Sequence, residues 1–206
     1  MRLLAIDCAT EACSVALFEQ GTLLAGECQR MGRGHAEALV PMIAALPGKG
    51  QADRIAVSLG PGSFTGLRVG LAAARALALA WQAELVGYPT LALVAAMARE
   101  GYPGGDIDVV MNGGHGEWFV QRFDAQGEPR EAVLSLAPDA AAAHCTGTLA
   151  AGSRATELVA LRGEGTACEL WPDARQLTLL PDHLLQADTS PIYGRAPDAR
   201  LPQVPT

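Results

Sequence analysis

The stretch best suited by composition to bind an anion is the glycine-rich turn GPGSFTG at 60–66. It connects the apolar run RIAVSLG, a predicted strand, to a long alanine-rich segment, a predicted helix. Free backbone N–H groups at a helix N-terminus attract phosphate, but Ser63 or Thr65 can equally cap the helix. The turn lacks the lysine of a P-loop and has Thr65 where a dinucleotide fingerprint needs glycine. The residue types therefore favour capping over phosphate binding.

Asp7 is the carboxylate best placed for metal-directed phosphotransfer, because it ends the first predicted strand. A hydrogen-bonded acid in a turn explains the same position equally well. The segment CATEACS that follows it contains no glycine, and the equivalent position in the second half is the neutral Asn112, followed by Gly113 and Gly114. These residues give little support to a nucleotide clamped between two carboxylates.

Other common catalytic and metal-binding patterns do not occur in the sequence. The four histidines form no H-x-x-x-H or H-E-x-x-H pair, which predicts that no transition metal is bound. Ser63 lies in GSFTG rather than in a G-x-S-x-G nucleophile motif. The five cysteines contain no C-x-x-C pair and are odd in number, as expected for reduced thiols.

Composition and charge restrict the class of protein further. The chain has 206 residues, 50% of them hydrophobic, so it is long enough and apolar enough to bury a sizeable core. Its formal net charge of -7 argues against prolonged contact with a nucleic-acid backbone. The apolar start meets Asp7 too early for a secretion signal, and Arg68 and Arg75 interrupt the longest apolar stretch. We therefore expect a cytoplasmic protein without a membrane span.

The predicted elements follow the same order twice. Three strands, a helix HAEALVPMIAAL, a strand, the long helix to about Trp81, a strand and a further helix fill the first half. The second half begins again with IDVVMNG and EWFVQRFDAQG, and Asn112 takes the place of Asp7. We predict an α/β protein of two duplicated lobes, at 1–104 and 105–206. The second lobe is reduced and ends in a loose tail, LPQVPT.

The long helix after the glycine-rich turn has an unusually smooth surface. Gly66, Gly70, Ala74 and Ala78 recur at every fourth position, and a second ridge of small residues follows Ala72, Ala76 and Ala80. Small residues allow two helix backbones to approach closely. Packing against the protein's own sheet accounts for part of this pattern, and a partner helix accounts for the rest.

Four segments together resemble the TsaB (YeaZ) family: LLAIDCATEACSVAL, HAEALVPMI, GPGSFTGLRVGLAAARALA and GYPTLALVA. They span about the first 95 residues, and SPIYGRAPDAR resembles the C-terminal signature of the family. The resemblance implies a duplicated actin-like ATPase fold of the ASKHA, ribonuclease H-like kind. The chain departs from the family where Asn112, Gly113 and Gly114 replace a usual Asp-Ala-Arg.

The resemblance also implies a function. Members act as noncatalytic partners of the paralogue TsaD in making threonylcarbamoyladenosine (t6A) at position 37 of tRNAs that read ANN codons. The ATPase TsaE belongs to the larger complex, and tRNA contact is indirect. No cofactor is expected on this chain alone, whereas ATP or ADP can lie at the joint with the partner.

In such relatives two helices of the first lobe contact TsaD, or a second copy of the chain when TsaD is absent. The residues implied for this contact are His35, Leu39, Met42, Ile43, Leu46, Phe64, Leu67, Arg68, Gly70, Leu71 and Ala74.

Two other functions remain open from the sequence. One is an enzyme of the same fold, either a small ATPase or kinase or a peptidase-like protein, using Asp7 and the turn at 60–66. The other is a tRNA-binding module, which the acidic balance disfavours.

Overall fold

Two five-stranded sheets organise the chain in this computed structural model, which describes residues 1–195. The predicted tail LPQVPT and part of the SPIYGRAPDAR motif lie outside the described residues. The first sheet contains β1 Arg2–Asp7, β2 Ala12–Glu19, β3 Thr22–Arg30, β4 Arg54–Ser58 and β5 Glu84–Tyr88. The second contains β6 Ile107–Gly114, β7 Glu117–Phe123, β8 Leu134–Leu136, β9 Leu149–Ala151 and β10 Thr166–Cys168.

The two sheets share one topology. Their orders are β3-β2-β1-β4-β5 and β8-β7-β6-β9-β10. In the first, β1 pairs antiparallel with β2 and parallel with β4, and β6 pairs in the same two ways with β7 and β9. The sheets therefore confirm the duplication that the sequence predicts, with β1 equivalent to β6.

The helices fill the equivalent connections in both halves. They are α1 His35–Ala45, α2 Phe64–Trp81, α3 Thr90–Gly101, α4 Pro138–His144 and α5 Ala155–Arg162. Short 3-10 helices occur at Pro47–Gly50, Ala174–Leu179 and Asp182–Leu184. The second half is reduced as predicted, since β8, β9 and β10 have three residues each and α4 has seven.

The alternation of side chains along the strands sorts the core into layers. Leu4 and Ile6 of β1 pack towards α1 and α2, whereas Ala5 belongs to a cluster with α3 on the opposite side of the sheet. That second cluster also contains Val109 and Phe123 of the other sheet, so α3 is enclosed between the two sheets. α4 and α5 cover the outer face of the second sheet.

The segment after β10 returns to the first lobe. The backbone N–H of Ala174 donates to Ser14 Oγ at 2.9 Å, and Gln186 forms an antiparallel bridge with Gly87. The predicted boundary at 104/105 falls between α3 and β6. The assignment of residues 105–206 to the second lobe stays a prediction. The contacts of the segment after β10 with the first lobe were not visible in the sequence pattern, because they join residues far apart in the chain.

The apolar composition of α2 has a structural explanation. By length and composition this helix is able to cross a membrane. One side of it, however, packs in the core of the first lobe through Gly66, Leu67, Gly70, Leu71 and Ala74.

Candidate functional site

A cleft of about 810 Å³ opens between the two lobes. The first lobe contributes the turn after β1, at 9–11, and the start of α2. The second lobe contributes the end of β6 and the residue after it, at 112–115, and residues 193–195 complete the wall. Its volume is typical of small-molecule sites.

The glycine-rich turn before α2 owes its glycines to the protein's own backbone. A Cβ on Gly62 would lie 1.9 Å from the carbonyl oxygen of Ala9, and one on Gly66 would lie 2.0 Å from that of Cys8. The N–H of Ser63 donates to the Ala9 carbonyl at 2.6 Å. The turn therefore packs directly on the segment after β1, and this contact accounts for both glycines without a phosphate.

Ser63 is the N-cap of α2. Its side-chain oxygen accepts a hydrogen bond from the N–H of Gly66 at 3.3 Å. The cap satisfies one of the donors that the first turn of a helix leaves free. The prediction that this turn starts and caps the helix is confirmed.

Asp7 is fully buried and does not line the cleft. Its Oδ1 accepts from the N–H of Ala9 at 2.9 Å, and its Oδ2 accepts from the Tyr88 hydroxyl at 3.0 Å. Burial raises the pKa of Asp7 to about 6, against the opposing effect of these hydrogen bonds. The geometry is that of a hydrogen-bonded turn acid, one of the two roles that the sequence allowed.

Aromatic and cationic side chains lie at the mouth of the cleft. The Arg68 guanidinium lies 3.7 Å from the centre of the Phe64 ring, and this ring is 5.4 Å from that of Tyr193. Phe64 is 52% exposed. Cation–π contact holds the arginine against the ring, so the two side chains form one surface patch at the start of α2.

The histidines are dispersed. Nε2 of His35 donates to the Thr10 carbonyl at 2.8 Å, while His144 and His183 lie beside Glu131 and Glu128. Within residues 1–195, no group of three His, Cys, Asp or Glu side chains is arranged to hold a metal ion.

Most residues of the predicted contact list lie inside their own lobe. Leu39, Met42, Ile43, Leu46, Leu67, Leu71 and Ala74 belong to the core, and His35 and Gly70 are buried beside them. A Cβ on Gly70 would meet Cys8 at 3.4 Å and Val57 at 3.7 Å, so this glycine faces the first sheet. These nine residues therefore have core positions within the chain, and the contact that the resemblance implies for them stays a prediction. Of the eleven predicted contact residues, only Phe64 and Arg68 are exposed.

The opposite side of the same two helices is exposed and largely apolar. We call it the outer face, and its clearest members are Val40, 62% exposed, and Leu79, 83% exposed. α1 and α2 contact each other and cover the same side of the first sheet, so their exposed residues share one side of the lobe. The outer face comprises Val40, Pro41, Ala44, Ala72, Ala76, Leu79 and Ala80.

The sequence contained a signal for this face. The second ridge of small residues, Ala72, Ala76 and Ala80, is exposed, whereas the glycine ridge is turned inward. Val40 and Leu79 were missed because apolar side chains at helical spacing usually belong to a core. An exposed leucine alone is ordinary, but a row of apolar residues across two packed helices is typical of a contact surface.

Two lobes of identical sheet order, enclosing a cleft and joined by a buried helix layer, define the actin-like ASKHA class of fold. A family model described as TsaD, tRNA N6-adenosine threonylcarbamoyltransferase, matches residues 29–170. The chain belongs to this family, and its relatives place it in the TsaB (YeaZ) group.

Among those relatives, the tRNA threonylcarbamoyladenosine biosynthesis protein TsaB of Escherichia coli K12 is 37% identical over 145 residues, 65% of this chain and 62% of the relative. The TsaB of Haemophilus influenzae is 38% identical over 107 residues, 48% of this chain and 44% of the relative. These alignments span less than two thirds of both curated relatives. The solved structure of YeaZ from Pseudomonas aeruginosa has a TM-score of 0.77 at 26% identity, covering 93% of this chain and 99% of that one.

Proposed function

We propose that this chain is a noncatalytic partner of a TsaD-type subunit in t6A synthesis, and that it binds this subunit through the outer face of α1 and α2. The observation that carries the proposal is the apolar outer face, in which Leu79 is 83% exposed. Burying one leucine is worth about 1.5–3 kcal/mol, so leaving this one in water is explained if a partner covers it.

The names of the relatives indicate the pathway and support a TsaD-type partner within it. TsaB proteins are named for t6A biosynthesis, and the matching family model is named for the threonylcarbamoyltransferase itself. A chain with the same duplicated fold as its partner can pair with it about a pseudo-two-fold axis. The same face would pair two copies of this chain when the partner is absent.

The cleft supports a binding role better than a catalytic one. The kinase alternative requires Asp7 to face a metal or a phosphate, but its carboxylate is enclosed and bonded to Ala9 and Tyr88. The turn at 60–66 contacts the backbone of Cys8 and Ala9 instead of leaving space for a phosphate. We accordingly propose that ATP or ADP binds at the assembled complex and not to this chain alone, and that the ATPase TsaE joins that complex. We further propose that this chain contacts tRNA only indirectly and works in the cytoplasm.

Leu79→Asp tests the proposal. Mixed with the TsaD-type protein of the same genome, the unchanged chain should coelute on size exclusion, and Leu79→Asp should weaken the affinity at least tenfold, since about 1.4 kcal/mol lost is a factor of ten. Isothermal titration calorimetry measures the change. Because Leu79 is exposed, the variant should keep its melting temperature.

Leu161→Asp is the matched control. Leu161 is 50% exposed on α5 in the second lobe, away from the outer face. The Leu161→Asp variant should bind the TsaD-type protein with the affinity of the unchanged chain. Failure of the unchanged chain to associate at micromolar concentration, or equal affinities for Leu79→Asp and Leu161→Asp, would reject the outer face as the contact.

A further inference from the structure

At the back of the cleft, opposite its mouth, a continuous apolar core connects the two lobes. Ala5 and Phe18 of the first sheet, Val109 and Phe123 of the second, and the buried side of α3 form one cluster. Separating the lobes here would expose this whole cluster to water, which is strongly unfavourable. The lobes therefore cannot part at the back.

The front of the cleft is joined by polar side chains. Asn112, at the end of β6, donates from Nδ2 to Glu11 Oε1 at 2.9 Å across the cleft. Its Oδ1 accepts from the N–H of Gly114, and its own N–H donates to Ser153 Oγ. Because the second lobe holds the oxygen of the amide, the NH₂ group is the part that faces the carboxylate of Glu11.

A segment near the end of the described chain ties the lobes a second time. The N–H of Ile192 donates to the Leu59 carbonyl of the first lobe at 2.7 Å. A Cβ on Gly194 would lie 2.5 Å from the Phe119 ring and 2.9 Å from Pro61, so the backbone fits between the lobes. Arg195 then lies 3.5 Å from Glu117 of the second lobe. We call residues 192–195 the strap.

We propose that the Glu11–Asn112 hydrogen bond and the strap form a latch, which holds the front of the cleft closed while the apolar back acts as the hinge. Hydrogen bonds between exposed side chains shift an equilibrium only about 2- to 10-fold, far less than burial of a core cluster. Opening at the front therefore requires less free energy than separation at the back. It would widen the cleft behind Phe64 and Arg68, which already lie exposed at its mouth.

Asn112→Asp tests the latch, because it places a second carboxylate against Glu11. We expect amide hydrogen exchange to rise about 2- to 10-fold in the turn at 60–66, in residues 112–117 and in the strap, with the buried strands unchanged. In Glu11→Gln/Asn112→Asp, the Gln amide donates to the new carboxylate, so exchange should return close to that of the unchanged chain. Gln176→Glu adds the same charge at an exposed position outside the cleft and should change none of these segments.

Glu11→Ala breaks the same contact without adding charge and should produce the same regional pattern. The latch is overturned if Asn112→Asp and Glu11→Ala leave the front unchanged, if exchange rises equally in the buried strands, or if the double variant remains as open as Asn112→Asp.

Discussion

At the scale of single residues, the same amino acid types that suggest chemistry are used here for structure. Asp7 accepts hydrogen bonds from Ala9 and Tyr88, and the Tyr88 hydroxyl also lies 3.1 Å from the Ile6 carbonyl. His35 joins the start of α1 to Thr10. These buried polar groups fix the segment after β1, against which the glycine-rich turn packs. Their polarity is accounted for by hydrogen bonding within the chain.

Asp7→Asn should remove a specific pH dependence of stability. Burial raises the pKa of Asp7 to about 6 in the folded chain, above the usual 3.8 of an aspartate, so the folded chain holds this proton more tightly than the unfolded chain. The resulting stability is fully present below about pH 4 and is lost as the pH rises through 6. This shift of about two pKa units corresponds to about 3 kcal/mol of the free energy of unfolding.

Urea unfolding at pH 4, 5, 6 and 7 measures this effect. The free energy of unfolding of the unchanged chain should fall relative to Asp7→Asn by up to about 3 kcal/mol across this range. Asn keeps an oxygen for the Ala9 N–H, and the Tyr88 hydroxyl can accept from its amide. Parallel pH profiles for the two proteins would contradict the assigned burial of the charge.

At the scale of elements, α2 has two different sides with different tasks. Its inward side carries Gly66 and Gly70, and its outward side carries Ala72, Ala76 and Leu79. The two inward glycines are not equivalent. Gly66 meets backbone, which cannot move independently, whereas the nearest atoms to Gly70 are side-chain atoms at ordinary contact distances. Only the first position strictly requires the absence of a Cβ.

The same substitution at these two positions separates their roles. Gly66→Ala should destabilise the chain by about 3 kcal/mol or more, because its Cβ would overlap the Cys8 carbonyl oxygen. Gly70→Ala, the matched control in the same helix, should be neutral or stabilising by up to about 1 kcal/mol, since alanine favours a helix. Chemical denaturation measures both. Equal losses in the two variants would show that the turn does not pack on this backbone.

At the scale of the whole molecule, the lobes are two copies of one topology that share a single core between them. The cluster around α3 contains residues of both sheets together with Ala174, Leu177 and Leu180 of the returning segment. Outside the central pair β6 and β7, the elements of the second lobe are shorter than their equivalents in the first. The outer face occurs on the longer copy, where α2 extends over 18 residues.

A shared core predicts that the lobes unfold together. Trp81 lies in the first lobe, Trp118 in the second and Trp171 in the segment after β10. The double variants Trp118→Phe/Trp171→Phe and Trp81→Phe/Trp171→Phe therefore leave one tryptophan each, in the first and in the second lobe respectively. Fluorescence of each variant and far-ultraviolet circular dichroism should give coincident urea transitions. Two separated midpoints would mean that the lobes are independent domains joined only by polar contacts.

Much of this fold could be predicted from the sequence because its elements are strongly periodic. The three opening strands, α1, α2, α3 and the repeated order were predicted, and α1 and the end of α2 lie close to the predicted positions. β8 and β10 have three residues each, too few for periodicity to identify them. For the site, the capping role of Ser63 was predicted correctly, but helical spacing did not show that nine of the predicted contact residues have core positions within the chain.

The sequence by itself determined which residues share a face, where the strands and helices begin, and that two halves follow one plan, because these properties depend on local spacing and local propensity. Only the tertiary structure decided which face is buried, that Asp7 turns away from the cleft, and that Asn112 meets Glu11. Those outcomes depend on which distant surfaces pack together, and neighbouring residues in the chain carry no record of that choice.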